Sequence, residues 1–216
     1  MSGTSQLAFD PACTHCPRLA RFLHESKQAF PEYHCAPVAP FGDPHARLII
    51  VGLAPGLHGA NATGRPFTGD YAGILLYDTL HRFGFASAAQ SVSRDDGLRL
   101  INARITNAVK CVPPQNKPLP AEIQTCNHYL KNELTALDKP SVLLALGTIA
   151  HNAVLRAFDL KLSDYKFAHA AEHALPPHML IDSYHCSRYN TNTGRLTEAM
   201  FHDVFGQVTR HLRVLS

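Results

Sequence analysis

Cys13 and Cys16 stand in a C-x2-C pair, and Cys111 and Cys126 form a wider C-x14-C pair. Two thiolates on one tight turn can face a single metal centre, and two more complete a four-thiolate site. Buried cysteines are often just small apolar side chains, and Cys35 and Cys186 read that way. Cys13 and Cys16 do not, because Thr14, His15 and Pro17 make their surroundings a polar turn. The spacing alone suits zinc and a [4Fe–4S] cluster equally.

A second group of residues lies in the loop Gly52-Leu53-Ala54-Pro55-Gly56-Leu57-His58-Gly59-Ala60-Asn61. Glycines there let backbone amides approach a ligand closely and aim several N–H groups at one acceptor. The loop is neither a Walker sequence, since Gly64 precedes Arg65-Pro66, nor a GxGxxG fingerprint. It is followed by Gly64-Arg65-Pro66-Phe67-Thr68-Gly69-Asp70, which places an arginine, an aromatic ring and a carboxylate directly before a helical stretch. Asp70 reads either as a helix cap or as the carboxylate of a site. Phe67 reads either as core filler or as a stacking face for a planar base.

A third group is Ser183-Tyr184-His185-Cys186-Ser187-Arg188-Tyr189-Asn190-Thr191-Asn192-Thr193-Gly194-Arg195. Tyr, Arg, Asn and Thr interleave with almost no aliphatic residues, which suits contact with phosphates and base edges. His185 is favoured over a structural histidine because it falls where an apolar strand ends, beside hydroxyls and an arginine.

These residues must be held by a scaffold, and the apolar pattern supplies one. Four short, nearly continuous apolar stretches at 47–51, 105–109, 141–146 and 179–183 read as strands buried on both faces. Helical candidates run over 16–30, 73–83, 121–137, 148–158 and 197–212. The alternation predicts an α/β fold, a three-layer α/β/α sandwich on a four-stranded, mainly parallel sheet. Ligands of such sheets sit beyond the carboxyl ends of the strands. The loops after Val51, Val109, Leu146 and Ser183 are therefore expected to build the site, and the whole span 1–216 to form one domain.

Composition bounds the partners. The 216 residues carry 45% hydrophobic and 17% charged side chains, an ordinary globular balance. No apolar run approaches the ~18–20 residues that span a bilayer, and residues 1–10 lack a secretory pattern. A cytoplasmic protein with no membrane partner is expected, and in that reducing setting cysteine pairs favour metal over disulfides. A net charge of +3 and 14 histidines permit a polyanionic partner without demanding one.

Four segments taken together resemble the uracil-DNA glycosylase superfamily, and within it the iron–sulfur type called family 5, or UDGb. They are the cysteine pairs, GLAPG at 52–56 with GRPFTGDYAG at 64–73, ITNAVKC at 105–111, and SYHCSRYNTNTGRLT at 183–197. The resemblance implies a [4Fe–4S] cluster on Cys13, Cys16, Cys111 and Cys126. It implies excision of uracil, and of bases such as hypoxanthine and xanthine, from double-stranded DNA, and a monomer is expected. It places Gly52, Leu53, Ala54, Pro55, Gly56 and His185 around the base and offers Asp70 as the carboxylate, so Asp70 and His185 are the expected catalytic residues. The residue types add Phe67 as a stacking face and Asn107 as a reader of the base edge. It assigns Ser187, Arg188, Tyr189, Asn190 and Arg195 to the DNA. Two positions depart from the wider pattern: Cys186 stands where proline is usual, and Ala54 where many members carry Asp or Asn. An iron–sulfur electron carrier and a non-catalytic lesion-binding protein are the rival expectations. The first leaves Asp70 and the His185 loop without purpose.

Overall fold

The computed structural model describes residues 9–214; residues 1–8, which bear on the expected lack of a secretory pattern, and residues 215–216 lie outside it. Four strands form the middle of one sheet: β2 (Leu48–Gly52), β3 (Ala103–Asn107), β4 (Val142–Leu146) and β6 (His178–Ser183). Two short edge strands, β1 (Phe41–Gly42) and β5 (Glu172–Leu175), complete the order β1-β3-β2-β4-β6-β5. All inner pairings are parallel, and both edges are antiparallel.

The four central strands are those that the apolar runs predict, but the sheet has six strands rather than four. β1 is only two residues long, and β5 reads Glu-His-Ala-Leu with mostly accessible side chains. Neither produces the continuous apolar run of a strand buried on both faces. β3 also begins two residues earlier than expected, because Arg104 interrupts its apolar pattern. Val109 has already left it and packs beneath the first helix.

Strand alternation divides the core into two layers. Leu48, Ile50, Ile105, Leu144 and Ile181 face α3 (Tyr71–Arg82) and α7 (Glu198–Val214). Ile49, Val51, Leu143, Ala145 and Leu180 face α4 (Pro120–Thr135) and α5 (Thr148–Ala157). α1 (Pro17–Ala29) lies outside both layers, sealing a third cluster through Leu19 and Leu23 against Val109, Ile123 and Tyr129. Proline opens both α1 and α4, where its missing N–H costs nothing. Glu122 accepts the Leu119 N–H at 2.7 Å and also pairs with Arg18, so one carboxylate caps α4 and ties α1 to it. Two short helices were not anticipated, α2 (Ala60–Thr63) and α6 (Arg188–Asn192). No described helix is long and apolar enough to cross a membrane.

Candidate active site

The parallel register sets Gly52 opposite Asn107 at the carboxyl ends of β2 and β3. A side chain at Gly52 would collide with the Asn107 amide and come within 2.7 Å of Phe67, so glycine there lets both close on the same space. Asn107 is buried, and its Oδ1 has no hydrogen-bond partner among the described residues. A buried polar atom left open in this way is suited to a ligand.

Asp70 sits at the N-cap position of α3, yet its side chain does not cap that helix. Its carboxylate turns back to the glycine loop and accepts the Ala60 N–H at 3.4 Å. A Cβ at Gly59 would clash with this carboxylate, and one at Gly56 would lie 2.5 Å from Asp70 Oδ1. The glycines of the loop therefore make room for an acid. Burial raises the Asp70 pKa above the ordinary carboxylate value, and the backbone N–H groups of Ala60 and Gly56 offset only part of that.

His185 follows β6 directly. Its ring stacks on Phe67 with centroids 6.0 Å apart and planes 26° apart. Its Nδ1 is buried without a partner among the described residues, and burial lowers its pKa to about 4. The ring is therefore neutral at physiological pH. Asn190 donates to the His185 carbonyl at 2.8 Å and so fixes the backbone that aims the ring. Cys186, in the position where proline is usual, is fully buried in the layer beneath α3 and α7.

Leu53, Ala54, Gly56, Phe67, Asp70, Asn107 and His185 enclose a cavity of about 440 Å³, with Ser187, Arg188 and Tyr189 at its mouth. Gly52 and Pro55 support the wall without lining it. Sequence reasoning missed three lining residues, Tyr71, Ala72 and Asn116. Tyr71 is the first residue of α3, and Asn116 belongs to a turn in which Gln115 and Asn116 both take positive φ. Nothing in the local sequence marks Asn116 as lining the cavity.

The loop after His185 is only partly free. Ser187 caps α6 by accepting the Asn190 N–H at 3.4 Å. Arg188 lies 4.9 Å over the Tyr71 ring, and Tyr189 is 71% exposed. Arg195 lies outside the cavity, 4.6 Å over Tyr184, on which the His169 ring also stacks at 4.9 Å. Arg65 also turns away from the cavity. It is buried, pairs with Asp96 at 2.5 Å and donates to Ser91 and Thr68. That pairing holds Asp96 well below the usual carboxylate range.

The four expected cysteines converge behind α1. Cys13, Cys16, Cys111 and Cys126 are all free thiols and line one small cavity closed by Leu19, Val109 and Tyr129. Burial, then the nearness of Cys126 and other thiols, raises Cys16 to about 11 and Cys111 to about 12. Four mutually repelling thiolates can ionise together only around a cation, so the donor set fits a metal centre. The Lys110 N–H already points at Cys126 Sγ, 3.3 Å away. Another possible ligand set, His151, His173 and Asp182, is satisfied internally. Asp182 receives His151 Nδ1 at 2.8 Å and His173 Nε2 at 3.1 Å, while His151 Nε2 faces the Tyr165 carbonyl.

Residues 39–209 match the family described as the uracil DNA glycosylase superfamily, and the chain belongs to that superfamily. It is 47% identical to the type-5 uracil-DNA glycosylase of Thermus thermophilus, over 92% of this chain and 93% of the relative. It is 40% identical to the type-5 uracil-DNA glycosylase of Pyrobaculum aerophilum, over 86% of this chain and 82% of that one. Similarity to the type-4 uracil-DNA glycosylase of Archaeoglobus fulgidus is lower, 33% over 65% of this chain.

Proposed function

We propose that this chain is a DNA-repair glycosylase, a hydrolase that cleaves the N-glycosidic bond of uracil in DNA and leaves an abasic site. One observation carries the reading beyond the family: a buried carboxylate with a raised pKa and a neutral, unpartnered histidine share one cavity with an open amide and an aromatic face.

The target base must leave the helical stack to reach such a cavity. Phe67 then stacks on it. The open Asn107 Oδ1 accepts the N3–H of uracil, whereas cytosine presents an acceptor there and is refused. Hypoxanthine and xanthine offer the same N–H beside a carbonyl, so deaminated purines that fit the cavity are substrates of the same design. As C1′–N1 breaks, positive charge grows on the sugar and the bonding pair leaves with the base. Asp70 stabilises the sugar cation and orients the water that attacks C1′. Neutral His185 and backbone N–H groups of the 53–56 loop donate to uracil O2 and stabilise the departing anion. Arg188 and Tyr189 at the mouth face the duplex, and the protein works on it as a monomer, with 1–216 as one unit. Asn190 and Ser187 shape that loop rather than reach out from it.

The four cysteines hold a [4Fe–4S] cluster on this reading, and when bound it supplies a cross-link among the segment before α1, the loop after β3 and α4. Anaerobically purified protein should be brown and contain about four irons per chain. Cys13→Ser or Cys111→Ser should lower iron and solubility together, whereas Cys35→Ser should leave iron unchanged. Stoichiometric zinc without iron would overturn the cluster assignment.

The activity itself is tested by incubating the protein with a uracil-containing duplex, treating with alkali and resolving the strands. Cleavage at the uracil position is expected. Binding without cleavage would leave a lesion-binding protein, and neither would leave an electron carrier.

A further inference from the structure

A second concavity, about 640 Å³, adjoins the base cavity and shares Phe67, Asp70, Tyr71 and Arg188 with it. Its floor is the outer face of α3, where Tyr71, Ile74 and Asp78 recur at helical spacing over about 10 Å of rise. Its opposite wall is the 89–92 segment. Ile74 and Val92, 67% and 68% exposed, both line this groove.

The groove wall is anchored from within the molecule. Ser91 Oγ accepts from Arg65 at 2.6 Å and bonds Thr68 at 2.5 Å, while Asp96 Oδ2 accepts the Val92 N–H at 2.8 Å. The pair of buried Arg65 with the more open Asp96 therefore holds the 89–92 segment beside α3. That gives a function to an arginine of the 64–70 motif that never reaches the base cavity.

We infer that this groove takes the base of the nucleotide next to the target on the same strand. The inference rests on the glycosylase reading above. Arg188 stands at the boundary of the two cavities, its guanidinium stacked on the Tyr71 ring. With one base on each side of Arg188, the phosphate that joins the two nucleotides falls beside its positive charge. The rings of Phe67 and Tyr71 and the apolar side chains of Ile74 and Val92, with the Gln90 amide among the lining groups, suit the faces of a base and tolerate several bases, as stacking platforms do. Continuity with the base cavity, and a cation at the junction, favour DNA over a protein side chain as the occupant.

The test is a cycle between protein and substrate. Uracil duplexes are prepared intact, or with the 5′ neighbour, the 3′ neighbour or the base opposite uracil replaced by an abasic tetrahydrofuran spacer. Each is assayed with wild type, Ile74→Ser and Val92→Ser. For wild type, removing one same-strand neighbour should raise the substrate concentration for half-maximal rate by about 5- to 10-fold, the scale of losing one stacked base. The maximal single-turnover rate should stay within about twofold. Each variant should show a similar rise on intact duplex and little further response to that spacer. The cycle removes any effect of the spacer on the duplex itself, because wild type and variant share it. Equal sensitivity of variants and wild type to both neighbours would overturn the inference, as would coupling to the opposite base alone. Failure of wild type to excise uracil from intact duplex is the separate result that would overturn the glycosylase reading.

Discussion

Asp70→Asn is expected to lower the single-turnover rate of uracil excision by about 10²–10⁴, the range for losing one positioned base or charge. Folding stability should not fall with it. The Asp70 pKa is raised by burial, so its charged form is disfavoured in the folded state. A carboxylate whose folded pKa lies above its unfolded one leaves stability intact below the unfolded value. It costs stability as pH rises through the folded value. At neutral pH the native protein therefore bears a penalty for keeping Asp70 ionised, and the amide removes it. The measurements are a thermal melt, expected unchanged or higher, and a rapid-quench rate. The wild-type rate should fall as the pH drops through the raised pKa, at a higher pH than for an ordinary aspartate. Asp70→Asn should lose that acid limb. Helix capping predicts otherwise, because asparagine caps as well as aspartate and would leave both measurements unchanged. The absence of a side-chain cap on α3 and the clearance at Gly56 and Gly59 already separate Asp70 from that role.

How far the site could be read from sequence depended on the range of the interactions. Gly52 to Gly56, Asn107 and His185 lie at or just beyond strand ends, Asp70 stands at the start of a helix with Phe67 in the turn before it, and strand ends are visible as breaks in apolar runs. Their convergence follows from a parallel sheet. The same logic shows the two cysteine pairs as candidates but not their meeting, which needs α1 to fold back over α4. What stayed illegible was set by long-range partners. Arg65 looks like a site residue beside Phe67, and its distant partners, Ser91 and Asp96 26 and 31 positions away, explain why it points inward. Asn116 reaches the cavity through a turn with two consecutive left-handed residues; asparagine tolerates that conformation, but glutamine at 115 gives no sign of it. The edge strands were hidden for a simpler reason. A strand paired on one side and open to water on the other need not be apolar.

His185→Ala should cost about 10²–10³ in the same single-turnover rate, the usual effect of removing one donor aimed at a developing anion. The size of the loss should depend on the leaving group. A base that departs as a more stable anion needs less help, so His185→Ala should impair excision of 5-fluorouracil much less than excision of uracil. Asp70→Asn acts on the sugar side and should impair the two substrates by similar factors. The losses in Asp70→Asn/His185→Ala should fall short of additive, since both groups serve one transition state. Protonation provides a further check. Burial holds the His185 pKa down at about 4, below its ordinary value near 6.5, so the ring donates as a neutral group. A depressed histidine pKa means that its share of stability is complete above about pH 6.5 and is lost as pH falls toward about 4. His185→Ala should therefore flatten the acid side of the stability curve over that window. Catalysis by an imidazolium predicts instead a wild-type rate that declines as pH rises from 6 to 8. A decline of that kind, absent in His185→Ala, would replace the neutral donor with a charged one.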